Sequence, residues 1–148
     1  MKLVIQRVDR AAVRVDGRTV SAIDRGLLVL VGLEKGDGED DLEKAAHRIA
    51  TLRVFEDSEG RMNHGLDEID GKVLAVSQFT LAGSIKKGRR PSFDHAMPSD
   101  EAEPLFDVFV GMLRGRGVEV FTGVFGAMME VELVNDGPVT LLWESNVT

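Results

Sequence analysis

Asn135-Asp136-Gly137-Pro138-Val139-Thr140 interrupts what would otherwise be one long strand near the end of the chain. Val131 and Leu133 precede it, Leu141 and Leu142 follow it, and such residues suit a pleated, half-buried surface. A proline removes a ladder donor from any central strand. The glycine before it tolerates backbone angles closed to other residues, and an X-Pro link is the one peptide bond whose cis form is cheap. The six residues therefore read in two ways. One is a plain strand-to-strand turn; the other is a rigid corner with exposed carbonyls, where two strands or two subunits meet. Strands flank it in both cases, so the chain should finish with strands near 118–122, 128–135 and 138–144.

The rest of the chain fits a β-rich frame with two helices. Residues 2–8 and 11–16 alternate in polarity, and Asp16-Gly17 between Val13-Arg14-Val15 and Thr19-Val20 is a hairpin signal. Gly26 opens Leu27-Leu28-Val29-Leu30-Val31, apolar on both faces and so a covered, central strand. Asp37 is placed to cap a helix, with Glu39, Asp40 and Asp41 at the positive end of its dipole. Leu42, Ala45, Ala46, Ile49 and Leu52 form that helix's apolar stripe. A polar loop is expected from Glu56 to Asn63, then the strand Lys72–Val76 after Asp70-Gly71. Residues 82–98 form a long loop, a length usually functional or mobile. A second helix starts near Ser99, with Ala102, Leu105, Phe106, Phe109, Val110 and Leu113 as its stripe and Gly115 and Gly117 at its end. Pro104 fits only the first turns of that helix. Helices segregated from hairpin-linked strands predict an α+β fold, with both helices on one side of a curved, largely antiparallel, barrel-like sheet.

A length of 148 residues predicts a single domain, 1–148. Hydrophobic content of 43% and charged content of 29% are those of ordinary globular proteins. There are no cysteines, which excludes thiol nucleophiles and thiolate metal sites and fits a reducing compartment. Leu3-Val4-Ile5 is cut short by Gln6-Arg7, too soon for a signal-peptide core. The longest apolar run, Leu27 to Leu33, is far short of a membrane span. A cytoplasmic protein with no membrane partner is the expectation. The net charge of −7 argues against a broad phosphate-tracking surface such as duplex DNA demands. The exception is local: Lys86-Lys87-Gly88-Arg89-Arg90 is either a solvated loop or a small anion contact for one end of a nucleic acid.

Common catalytic constellations are missing. His47, His64 and His95 lack the paired spacing of zinc motifs, so no metal is expected. Ser77 is not in a Gly-x-Ser-x-Gly elbow, and there is no phosphate-cradling glycine loop. Ser77-Gln78-Phe79-Thr80 remains, delivered by the end of the apolar strand Val73–Val76. Its hydroxyls and amide either satisfy the local backbone or join backbone N–H donors in facing a developing oxyanion.

Ser77-Gln78-Phe79-Thr80 together with Asn135-Asp136-Gly137-Pro138-Val139-Thr140 resembles the paired signature of the D-aminoacyl-tRNA deacylases. Gln6-Arg7-Val8, Gly26 to Gly32, Arg61-Met62-Asn63 and Arg90-Pro91-Ser92-Phe93 match as well, in order and over essentially the whole chain. The resemblance implies a homodimeric, cytoplasmic, cofactor-free and metal-independent hydrolase. Its substrate would be the ester between a D-amino acid, or glycine, and the acceptor end of tRNA. Gly137-Pro138 would be a Gly-cis-Pro element reaching into the partner subunit's pocket, so that the active sites lie at the dimer interface. Ser77, Gln78, Phe79 and Thr80 would form the facing catalytic wall. Arg7 would brace the Gly-Pro corner, Asn135 and Phe93 would be further supporting residues of the site, and Lys86, Lys87, Arg89 and Arg90 would contact tRNA.

The stereochemical sense of that arrangement is simple. Carbonyls aligned on one side of the corner would hold the α-amino group, leaving an L side chain to clash with the backbone while a D side chain points away. Two other readings share the same residues: a non-catalytic module that binds the tRNA acceptor end, and a deacylase that edits small L-amino acids through a trans Gly-Pro.

Overall fold

The structure, a computed structural model, describes residues 1–146. Its scaffold is a six-stranded mixed sheet built on β1 (Lys2–Val15). On one side β1 pairs antiparallel with β2 (Arg18–Ile23) and β3 (Gly26–Gly32); on the other it pairs with β8 (Glu130–Glu144). The expected hairpin closes β1 onto β2, with Val15 opposite Arg18 and both Asp16 and Gly17 at positive φ, the geometry that matches strand twist. From β3 outward the pairing turns parallel, first to β6 (Lys72–Ser77) and then to β7 (Glu119–Thr122). The sheet curls until β2 meets β7, where the Ser21 hydroxyl donates to the Thr122 carbonyl.

Curling gives the sheet two apolar faces. Leu3, Ile5, Leu27, Val29 and Val31 point to the face covered by α1 (Glu39–Thr51) and α3 (Ser99–Gly115), which also pack on each other. Phe55 and Phe109 are fully buried there, and each such side chain contributes about 1.5–3 kcal/mol relative to exposure. Val8, Val13, Leu28, Leu74 and Val76 fill the inner face. β3 contributes to both, as its unbroken apolar run requires.

Three local expectations are corrected. Asp37 does not cap α1; the N-cap is Gly38, whose N–H donates to the Asp41 carboxylate at 2.9 Å. Asp37 is taken by stronger partners, accepting from the Met1 ammonium and the Glu34 N–H, each at 2.7 Å. The loop after Phe55 contains a small hairpin of β4 (Phe55–Glu56) and β5 (Met62–His64), followed by one helical turn, α2 (Leu66–Ile69). Its turn is held by Asp57, whose carboxylate lies below the ordinary range because the Arg61 N–H, then the Glu59 N–H, donate to it. Finally, the last two expected strands are one, β8, which runs through the Gly-Pro corner.

α3 begins at Ser99 and carries Pro104 inside it. The helical bond that proline cannot make would use the carbonyl of Asp100, which lies on the exposed first turn and is open to solvent. Gly117 ends the helix at positive φ, with the Val118 N–H returning to the Leu113 carbonyl at 3.2 Å.

Candidate functional site

Ser77 closes β6 opposite Val31, and the Gln78 N–H extends the ladder by one bond to the Val31 carbonyl at 2.7 Å. The chain then turns away in a 3₁₀ turn, Phe79–Ala82. The Gln78 side-chain amide donates to the Thr80 hydroxyl. Among the described residues, no protein acceptor takes the N–H groups of Phe79 and Thr80, the first two of the turn. The turn rests on the end of β3 because Gly32 leaves room: a Cβ there would lie 2.6 Å from the Leu81 Cβ and 3.2 Å from the Gln78 carbonyl. In the sequence Gly32 is only a gap in an apolar run, and nothing local tells that another backbone lies against it.

In front of this wall is a cleft of about 670 Å³. Beyond Ser77–Thr80 it is lined by Met97 just before α3, by Ser99 and Ala102 at the start of that helix and by the loop of residues 125–129. That loop was not singled out from the sequence, since Phe125, Ala127, Met128 and Met129 carry no catalytic chemistry; Met128 stands at the rim, 92% exposed. Among the described residues, no Asp, Glu, His, Lys or Arg lines the cleft. What it offers chemically is apolar surface, three hydroxyls, one amide and the two free N–H groups.

The Gly-Pro corner is neither a plain turn nor a regular strand. β1 and β8 are in register at Gln6↔Thr140 and again at Val8↔Asn135, so the single residue Arg7 faces the four residues Asp136 to Val139. Side chains of β1 and β8 hold the bulge. Arg7 is buried and donates Nη1 to the Val54 carbonyl at 2.7 Å and Nε to the Asp136 carbonyl at 3.1 Å, with the Asp136 carboxylate 3.3 Å away. The Asn135 amide bridges the bulge, donating to the Arg7 carbonyl at 3.1 Å and the Val139 carbonyl at 2.9 Å. Gly137 has φ +122°, and a Cβ on it would sit 2.7 Å from Arg7 Nη2. The Gly137–Pro138 peptide bond is cis, and both residues are exposed. Proline is tolerated here because the ladder is already broken and, among the described residues, β8 pairs with β1 alone.

Corner and wall do not meet within one chain. Arg7 pairs with Leu27 at the start of β3, whereas Ser77 pairs with Val31 near its end. That is about 13 Å along the strand direction, and β8 and β6 are separated by β1 and β3.

The other expected residues divide. Lys86, Lys87, Arg89 and Arg90 are exposed on the loop that follows the 3₁₀ turn, and the Phe93 ring meets the Phe79 ring edge-on, centroids 5.3 Å apart. The histidines stay away from the cleft: His47 lies on α1 beside Arg116, His64 is 3.6 Å from Glu68, and His95 is exposed. Among the described residues, no three His, Cys, Asp or Glu side chains come together as a metal site would require, and no helix is long and apolar enough to cross a membrane.

Residues 4–144 match the family model described as D-Tyr-tRNA(Tyr) deacylase. The D-aminoacyl-tRNA deacylase of Geobacter sulfurreducens is 57% identical over 145 residues, 98% of this chain and 95% of that protein. The D-aminoacyl-tRNA deacylase of Thermus aquaticus is 55% identical over 146 residues, 99% of this chain and 96% of that protein. Among solved structures, a protein described as c-Myc DNA Unwinding Element Binding Protein superposes with a TM-score of 0.93 at 42% identity, covering 99% of this chain and 100% of its own. A probable eukaryotic D-amino acid tRNA deacylase shares the fold at a TM-score of 0.81 and 21% identity, covering 96% of this chain and 97% of its own.

Proposed function

Because the chain belongs to the D-aminoacyl-tRNA deacylases, hydrolases of the ester joining an amino acid to tRNA, we propose that its cleft accepts the acceptor end of D-aminoacyl-tRNA and is completed by a second copy's Gly-Pro corner. One observation carries this reading: the cleft wall and the corner are both built from backbone polar groups, yet lie too far apart in one chain to act on one substrate. A homodimer brings Gly137-Pro138 of one subunit to Ser77–Thr80 of the other. Residues 1–148 act as one domain of this dimer, in the cytoplasm.

The corner's carbonyls accept the substrate's α-amino group. With the amino group and the ester carbonyl both fixed, the α-carbon has one orientation left, and an L side chain would run into the corner while a D side chain points away. Glycine has no side chain to reject, so glycyl-tRNA is a substrate too. The ester carbonyl oxygen faces the Phe79 and Thr80 N–H groups, which stabilise the negative charge that develops on it as water adds.

Thr80 is not the nucleophile. Its hydroxyl neighbour is the Gln78 amide, and no side chain of the lining is a base able to take its proton. Water attacks the ester carbon, oriented by the terminal ribose 2′-hydroxyl; the bond to the ribose 3′-oxygen breaks, and a proton from the water ends on that oxygen. Among the described residues the lining carries no carboxylate, imidazole or thiolate, the side chains that most often hold a catalytic divalent ion, and this supports a metal-independent reading. Thr80→Ala is therefore expected to keep kcat within about threefold, whereas an activated nucleophile would lose most of its rate. A substrate ending in 2′-deoxyribose should be cut at least about tenfold more slowly. Undiminished cleavage of it would remove the ribose from the mechanism.

Lys86, Lys87, Arg89 and Arg90 meet phosphates of the single-stranded end, a footprint small enough for a chain of net charge −7. The same charge disfavours the DNA-element binding that the name of the 42%-identical neighbour states for that protein. The deciding measurement is hydrolysis of matched D- and L-tyrosyl-tRNA by the purified protein with chelator present. Rapid loss of the D ester with the L ester spared is expected. Cleavage of the L ester would favour an editor of L-amino acids, and binding without cleavage of either would favour a module that only holds the acceptor end.

A further inference from the structure

The basic loop is joined to the reaction wall through one aromatic ring. Ser84 and Ser92 exchange both backbone hydrogen bonds, at 2.7 and 2.9 Å, and so close residues 85–91 into a finger carrying the four cations. The next residue, Phe93, folds back from the base of the finger onto Phe79, with their ring planes at 67°. It fits over Gly83, where a Cβ would lie 2.7 Å from the Phe93 ring and 2.9 Å from the Thr80 carbonyl. The Thr80 carbonyl in turn accepts the Gly83 N–H at 2.9 Å. Ring, glycine and turn thus pack as one unit, although Phe79 is 57% and Phe93 38% exposed. A short turn with so little burial has few bonds to keep its N–H groups aimed, and this contact adds to them.

We infer that Phe93 is a positioning residue that ties the basic finger to the backbone of Phe79 and Thr80, so that an RNA phosphate held at the finger orders the groups facing the ester. The inference rests on the deacylase reading for its ligand, but its mechanical part does not. Restraining the finger restrains the Ser84–Ser92 base, then the Phe93 ring, then the turn. A donor aimed in advance at the developing charge is worth more than one that must be ordered during the reaction.

The test compares wild type, Phe93→Ala and Phe93→Tyr by amide hydrogen exchange at Leu81 and Gly83, with and without uncharged tRNA, and by hydrolysis of D-tyrosyl-tRNA. Phe93→Ala is expected to speed exchange at both amides and to lower kcat about tenfold, with KM within about twofold. Phe93→Tyr keeps the ring and should restore both. Added tRNA should slow the two amides in wild type and leave them unchanged in Phe93→Ala. Two results would overturn the inference: exchange in Phe93→Ala equal to wild type, or a raised KM with kcat intact, which would make Phe93 a prop for the finger alone. If wild type left the ester uncut, the deacylase reading would fall, while the RNA-free exchange comparison would still decide whether Phe93 holds the turn.

Discussion

Gly137→Ala is expected to cut D-tyrosyl-tRNA hydrolysis by about a hundredfold or more while leaving a folded protein. Two independent features act against the added methyl. The backbone at Gly137 has φ +122°, a region L-residues rarely adopt, and the new Cβ would lie 2.7 Å from Arg7 Nη2. Relief requires the corner or the guanidinium to move. Arg7 is the worse choice, because it is buried and holds both the Val54 and the Asp136 carbonyls. The corner therefore shifts, and with it the carbonyls proposed to fix the substrate's hand. Kinetics on D- and L-tyrosyl-tRNA, with circular dichroism to confirm folding, check this. Rates like those of wild type would mean that the corner does not touch the substrate.

Gly26→Ala should damage the fold itself. A Cβ at Gly26 would sit 1.9 Å from the Lys72 carbonyl oxygen and 2.8 Å from two further backbone atoms of that residue. Gly26 and Lys72 form the first pair of the β3–β6 ladder, which joins the antiparallel half of the sheet to the parallel half. No side-chain rotation relieves a clash with backbone, so the strands must part at the start of their ladder, where Gly26 is buried. A loss of about 3 kcal/mol or more is expected, or a fall in Tm of roughly 6–12 °C for a chain of this size. Thermal unfolding measures it, and an unchanged Tm would mean the two strands tolerate a wider spacing. The protein that remains folded should keep its kcat, which separates this effect from that at Gly137.

What could be read from the sequence follows from whether the deciding contact is local. The helix stripes, the Asp16-Gly17 hairpin and the doubly covered β3 were legible, because periodicity and turn chemistry act within a few residues. Ser77–Thr80 and Gly137-Pro138 stood out as polar or rigid groups set in apolar strands. The merger of the last two strands into β8 was not legible: proline argued for a break, and only the partner β1, with one residue facing four, makes room for it. Asp37 failed as a cap for a similar reason, since the Met1 ammonium that claims its carboxylate lies far away in sequence. The loop of residues 125–129 completes the cleft with apolar side chains, and apolar residues announce a core as readily as a binding surface.

A cleft without a single titratable side chain has a pharmacological consequence. Reagents that silence hydrolases by alkylating or acylating an activated serine, cysteine or histidine would find no such group to capture here. Compounds aimed at this pocket must compete by shape and by reversible hydrogen bonding to its few hydroxyls, its amide and the main chain. Resistance by exchanging one reactive side chain for another is correspondingly closed, because main-chain atoms are common to every residue that could replace the ones they belong to.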